Sequence, residues 1–140
     1  MFKHLLVGVD GSPGSLRAMD VAAGLAAEHG AILDALTVID RDPRFAATVG
    51  EVDEELTAGK AFARQVQEQA RQIAANHGVT VETLTAYGHA AQTLAEKTRH
   101  GVYDLLVLGA SGHSGVWGPF LGSTTDKVSR HAGCSVLIVR

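Results

Sequence analysis

The stretch KHLLVGVDGSPGSLRAMDVAAGLAAEHGAILDALTVI, Lys3 to Ile39, decides the fold. Its two ends, Lys3–Val9 and Ala31–Ile39, are short aliphatic and β-branched runs bounded by Gly, Asp or His, which is the pattern of a strand. Between them Leu16, Met19, Ala23 and Ala26 recur at helical spacing. Ser12 followed by Pro13 supplies the start of that helix, since Ser is a favoured N-cap and Pro is pre-organised for the first helical position. The unit is therefore strand, helix, strand.

The same alternation runs through the rest of the chain. Val79–Tyr87, Tyr103–Gly109 and Cys134–Val139 read as three more strands. Val52, Leu56, Ala63, Val66, Ala70 and Ile73 form one apolar helical stripe, with Glu54, Glu55, Lys60, Arg64, Glu68 and Arg71 on the other face. Ala90, Ala91, Leu94 and Ala95 form a shorter stripe, and Thr124–His131 a last helix that Gly133 stops. Strict alternation builds a parallel sheet with helices on both faces, because each right-handed crossover packs its apolar stripe back on the strands. The expected fold is α/β, a single doubly wound five-stranded parallel sheet of order 3-2-1-4-5. The one long irregular connection is Asp40–Gly50, bracketed near its ends by Pro43 and Gly50.

Composition bounds the function. A chain of 140 residues fits one domain, residues 1–140, and its 46% apolar and 19% charged content is that of a globular protein. A net charge of −3, with no Lys/Arg run, argues against nucleic acid or an acidic membrane as partner. The lone Cys134 excludes an internal disulfide framework and a Cys-based zinc site. Leu5–Val9 is too short for a signal peptide or a membrane span, so the cytoplasm is the expected location.

In an open parallel sheet, ligands bind outside the carboxyl ends of the strands where the strand order reverses. With order 3-2-1-4-5 the first and fourth strands are neighbours, so Gly8–Ser15 faces the glycine-rich segment that begins at Gly109. Asp10, just past the first strand, can reach a ribose hydroxyl, a metal ion or a backbone N–H; the plain alternative is an Asx-turn. Gly8 has a plain alternative too, a close approach of neighbouring atoms. Gly109 and Gly112 free the backbone to turn and to approach a ligand. Gly122, Ser123 and Thr124 open the last helix, whose unpaired N–H groups and positive dipole end attract anions. Simple N-capping by Ser123 or Thr124 is compatible with that role. Together these residues suggest a phosphate cradle built on N–H donors and hydroxyls. No G-x-x-x-x-G-K-[ST] motif occurs, so the lysine of P-loop enzymes is absent.

Gly109-x2-Gly112-x9-Gly122-Ser123, after a strand ending DLLVLG, resembles the ATP-binding signature of the universal stress protein family. HLLVGVDGS resembles that family's first strand, LTVID the end of its second and CSVLIVR its last, so the resemblance covers nearly the whole chain. It implies the Rossmann-like fold of the adenine nucleotide α-hydrolase type and an ATP-binding regulatory protein of the stress response. Carried over residue by residue, Gly8 and Asp10 line the nucleoside side and Val38 meets the adenine through its backbone. Gly109, Ser111, Gly112, His113, Gly115, Gly122, Ser123 and Thr124 surround the ribose and phosphates. The cofactor implied is ATP, or AMP or ADP, with Mg2+ accompanying the phosphates and Asp10 its one candidate protein ligand. Many relatives carry an Arg between the second and third motif glycines, whereas this chain offers His113 there as its only potentially cationic group. A triphosphate then needs Mg2+, the helix end or Lys127. The plain reading of His113 is a solvent-facing loop histidine, and of Gly115 and Gly118 loop flexibility.

No catalytic residue is nominated. Phosphoryl transfer needs a base or water-positioning group and charge stabilisation at the transferring phosphate, and Asp10 is expected nearer the nucleoside end. Slow or absent hydrolysis and a nucleotide-dependent switch follow; the alternative is an adenine-nucleotide-using enzyme, an ATPase or an adenylyl transferase. Trp117, Pro119 and Phe120 form either a docking site for a regulatory protein or a local apolar cluster. The last strand is an edge in the expected order, and an aliphatic edge tends to pair with another chain. A homodimer through Ser135, Val136, Leu137, Ile138 and Val139 is the expected arrangement, and the resemblance implies the same. Cys134 is expected to be a small core residue.

Overall fold

The computed structural model describes residues 1–40, 49–110 and 122–140, with the backbone alone for 49–56. The described elements are β1 (His4–Gly8), α1 (Pro13–His29), β2 (Ile32–Ile39), α2 (Val49–Asn76), β3 (Val81–Tyr87), α3 (Ala90–His100), β4 (Leu105–Gly109), α4 (Ser123–His131) and β5 (Ser135–Val139). The strands make one sheet of order β3-β2-β1-β4-β5 in which every neighbouring pair is parallel. This is the doubly wound α/β arrangement that the alternation predicts. The connection read as Asp40–Gly50 is shorter than expected: Val49 and Gly50 already belong to α2, and the intervening residues 41–48 lie outside those described.

Strand alternation sorts the core into two layers. Leu5, Val7, Leu33, Ala35, Leu105 and Val107 point to one face, where Ala18, Met19, Ala22, Ala23 and Ala26 of α1 and Val66, Ala70 and Ala74 of α2 cover them. Leu6, Leu36, Leu106 and Leu108 point to the other and meet Leu94 of α3 and Val128 of α4. The run of small residues on α1 lets that helix lie close over the centre of the sheet, where Leu5, Leu6 and Val7 are fully buried. The α2 stripe is mixed: Ala63, Val66 and Ala70 are buried as expected, and Gln67 is buried with them because its Nε2 donates to Thr85 Oγ1 at 2.7 Å.

α4 ends at His131, with Ala132 in an extended conformation as its C-cap, so Gly133 is not the stop signal that its position suggested. It is small for a packing reason, since a Cβ there would lie 2.7 Å from Arg99 Cα. Gly133 N donates to Thr98 Oγ1 at 2.9 Å and Arg99 Nε to His131 O at 3.0 Å, tying this end of α4 to α3. Cys134 is half-buried rather than a full core residue, and burial, followed by the charge of Asp104, raises its thiol pKa.

Polar groups at the amino end of the sheet lock the strands together. Asp34 is buried and its Oδ2 accepts from Tyr103 Oη at 2.7 Å and pairs with His4 Nε2 at 2.8 Å. Burial, then the bond to Asp34, drives the Tyr103 pKa above the usual phenol range, so the phenol stays protonated. Asp104 accepts from the backbone N–H of Lys3 at 2.8 Å and of His4 at 3.2 Å, and these bonds lower its pKa. A lowered folded-state pKa contributes stability that is present above the unfolded value of about 3.9 and is lost as pH falls through the folded one. Wild-type protein is therefore expected to lose stability more steeply than Asp104→Asn below about pH 4. Urea midpoints measured from pH 6 to pH 2.5 for both proteins check this; parallel curves contradict it.

Candidate functional site

The connection from β1 to α1 is held by its own hydroxyls and carboxylate. Asp10 Oδ1 accepts from Ser12 N at 2.9 Å, the Asx-turn of the plain reading, and Gly11 between them has φ +82°, a conformation suited to glycine. Ser12 caps α1, its Oγ accepting from Ser15 N at 3.2 Å. Ser15 Oγ returns a bond to Ser12 O at 3.0 Å and accepts from Asp10 N at 3.2 Å. These local bonds shape the turn and place Asp10 at the carboxyl end of the sheet.

Both strand glycines have steric reasons. A Cβ on Gly8 would stand 2.9 Å from Leu108 Cδ2 and 3.3 Å from Leu94 Cδ1, so the close-approach reading holds. A Cβ on Gly109 would stand 2.7 Å from both the carbonyl carbon and oxygen of Gly14, the backbone of the first turn of α1. Gly109 therefore lets the α1 start settle against β4 and brings the two distant connections together.

The start of α4 completes the arrangement. Gly122 is its N-cap and no side chain caps the helix, so Ser123 and Thr124 are exposed and do not serve as caps. Gly122 N donates to Ala110 O at 2.8 Å, Ala110 N to Val139 O at 2.8 Å, and Asp126 N closes the first helical bond to Gly122 O at 2.9 Å. The N–H groups of Ser123, Thr124 and Thr125 precede that bond and have no intrahelical acceptor.

These pieces border one cavity of about 290 Å³, close to the lower end of small-molecule pockets. Gly8, Asp10, Val38, Gly109, Gly122, Ser123 and Thr124, all predicted from sequence, line it. Ser111, Gly112, His113 and Gly115, and the segment Trp117–Phe120, lie outside the described residues. Residues not nominated also line it: Val9, Ser12, Ser15, Leu36, Ala90, Leu94, Leu108 and Thr125. Leu36 was within reach of sequence reasoning, being two positions before Val38 and so on the same strand face. Ala90 and Leu94 share a helix face by their spacing. For Thr125 no sequence signal separates it from its neighbours Ser123 and Thr124. The chemistry is split: Leu36, Val38, Leu94 and Leu108 give an apolar wall that suits a flat ring, and the α4 amides with Ser123 and Thr124 give donors that suit an anion. Asp10 is the one carboxylate among the described lining residues. Among the described residues no group of three or more His, Cys, Asp or Glu side chains could hold a metal ion.

The model of the universal stress protein family matches residues 1–140. The chain belongs to the universal stress protein family. A universal stress protein of Bacillus subtilis is 36% identical over 149 aligned positions, covering 100% of both chains. A universal stress protein from Lactobacillus plantarum superposes with a TM-score of 0.87 at 33% identity, covering 99% of this chain and 97% of its own. Another, solved in complex with cAMP, superposes with a TM-score of 0.77 at 32% identity and covers the same shares. No helix among the described residues of this universal stress protein is long and apolar enough to cross a membrane.

Proposed function

We propose that this universal stress protein, acting as one unit over residues 1–140 in the cytoplasm, binds an adenine nucleotide, ATP foremost, in the cavity between the β1–α1 turn, β4 and α4. The observation that carries the reading is that all the described nominated residues, from the β1–α1 turn, the end of β2, the end of β4 and the start of α4, border one cavity. The base lies against Leu36, Val38 and Leu94, the ribose near Asp10, and the phosphates on the amides of Ser123 and Thr124 with their hydroxyls. The cAMP complex of a relative 32% identical supports an adenine nucleotide as the class. Mg2+ typically keeps several waters and is held by one or two carboxylates besides phosphate oxygens; Asp10 is the residue that would hold it here, and the ion would supply positive charge beside phosphates for which the signature offers no lysine or arginine.

Among the described lining residues Asp10 is the one candidate base, and one of its oxygens accepts from Ser12 N. The nucleotide therefore acts as a switch: its differential affinity for two conformations selects the one that a regulatory protein meets. Isothermal titration with ATP, AMP and adenosine tests binding, and ATP is expected to bind more tightly than adenosine. Release of phosphate or pyrophosphate faster than about 1 per second favours the enzyme reading instead.

β5 is an edge strand whose Val136, Leu137, Ile138 and Val139 are half-buried. Pairing of Ser135–Val139 with a second copy covers its unpaired backbone groups. Sedimentation velocity at micromolar concentration is expected to give a dimer; a monomer rejects this arrangement.

A further inference from the structure

Thr125 lines the cavity, and its hydroxyl is bonded to the protein backbone. Oγ1 donates to Gly109 O at 2.7 Å, and the residue is 5% exposed. The bond joins the third residue of α4 to the last residue of β4, directly beside the Gly122 N to Ala110 O bond at 2.8 Å. Two hydrogen bonds of different kind thus fasten the first turn of α4 to the end of β4.

The opposite end of α4 is fastened separately. Val128 is fully buried against α3 and the sheet, Arg99 holds His131 O, and Thr98 holds Gly133 N. A nine-residue helix is about 13 Å long, so a tilt of about 5° around that anchored end moves the first turn by roughly 1 Å. Hydrogen bonds to an oxyanion are short and directional, about 2.7–2.9 Å, and a shift of that size breaks them. The direction in which the amides of Ser123, Thr124 and Thr125 point is therefore controlled by what holds the amino end of α4.

We propose that Thr125 is a positioning residue for phosphate recognition: its side-chain bond to the Gly109 carbonyl aims the α4 amides at the anion and makes the protein discriminate nucleotides from nucleosides. This rests on the phosphate cradle proposed above and assigns a role to a hydroxyl whose partner is the protein backbone. Ser123 and Thr124 carry the hydroxyls that face the ligand, and Thr125 carries the one that holds them in place.

The test compares wild type with Thr125→Val, which keeps the shape and removes the hydroxyl, and Thr125→Ser, which keeps the hydroxyl. In the nucleotide-free proteins, exchange of the Gly122 and Asp126 amides is expected to speed up more than about tenfold in Thr125→Val and to stay close to wild type in Thr125→Ser. In titrations, Thr125→Val is expected to lose about tenfold in affinity for ATP and AMP while adenosine stays within about twofold, and Thr125→Ser to restore ATP binding. Unchanged exchange in Thr125→Val, or equal losses for ATP and adenosine, overturns the positioning role. Wild-type protein that binds ATP no better than adenosine overturns the cradle itself, and is told apart because it needs no variant.

Discussion

Gly122→Val is expected to weaken ATP binding by at least about 100-fold, roughly 2.7 kcal/mol, while leaving the fold intact. Gly122 sits at φ −59° and ψ 152°, backbone angles that any L residue adopts, so the substitution carries no conformational penalty. Its N–H bond to Ala110 O needs no side chain, and exchanging one N-cap for a weaker one typically costs about 1 kcal/mol. The position is buried on the cavity wall beside the amides of Ser123 and Thr124. Three added carbons on that wall are expected to take up space that the proposed phosphate cradle needs. Titration calorimetry with ATP and a thermal melt on the same preparation separate the two effects. Wild-type affinity in the variant rejects the phosphate cradle.

Gly109→Ala is expected to damage both stability and binding. The added Cβ meets backbone atoms, Gly14 C and O at 2.7 Å, with Ser15 N at 3.2 Å, so no rotamer change relieves it and the start of α1 must move. Overpacking of this kind costs about 2–3 kcal/mol, equivalent to a fall in Tm of roughly 5–10 °C for a chain of this size. Because the same turn carries Asp10, Ser12 and Ser15, ATP affinity falls with it. The two substitutions separate two effects: Gly122→Val is expected to act mainly on the ligand, and Gly109→Ala on the joint between α1 and β4 that forms the site. A Gly109→Ala protein with wild-type Tm contradicts the close approach of α1 and β4.

The sequence was most readable where one physical rule acts locally. The β-α-β alternation, the Ser12-Pro13 helix start and the two-faced strands follow from periodicity and capping, and the strand order with Gly8–Ser15 beside Gly109 follows from the doubly wound pattern. The less legible parts depend on contacts between distant segments. Gly133 looked like a helix stop and is instead a close contact with Arg99. Val49 and Gly50 looked like the end of a loop and are helical, since a single glycine lowers helix propensity without breaking a helix. Ser123 and Thr124 looked like caps, but Gly122 takes the N-cap position, and the buried hydroxyl belongs to Thr125. Three neighbouring hydroxyl residues have the same local chemistry; only the packing of α4 on β4 decides which one is turned inward.

The central claim is that the amides at the start of α4 and the β1–α1 turn hold one adenine nucleotide between them. A nitrogen–proton correlation spectrum recorded during titration with ATP tests it most directly. The account predicts that the largest shifts fall together on Gly8, Asp10, Val38, Gly109, Ser123 and Thr124, while amides on the far faces of α1 and α2 stay still. Saturating ATP that leaves Ser123 and Thr124 unshifted, or that shifts them without Asp10 and Val38, contradicts it.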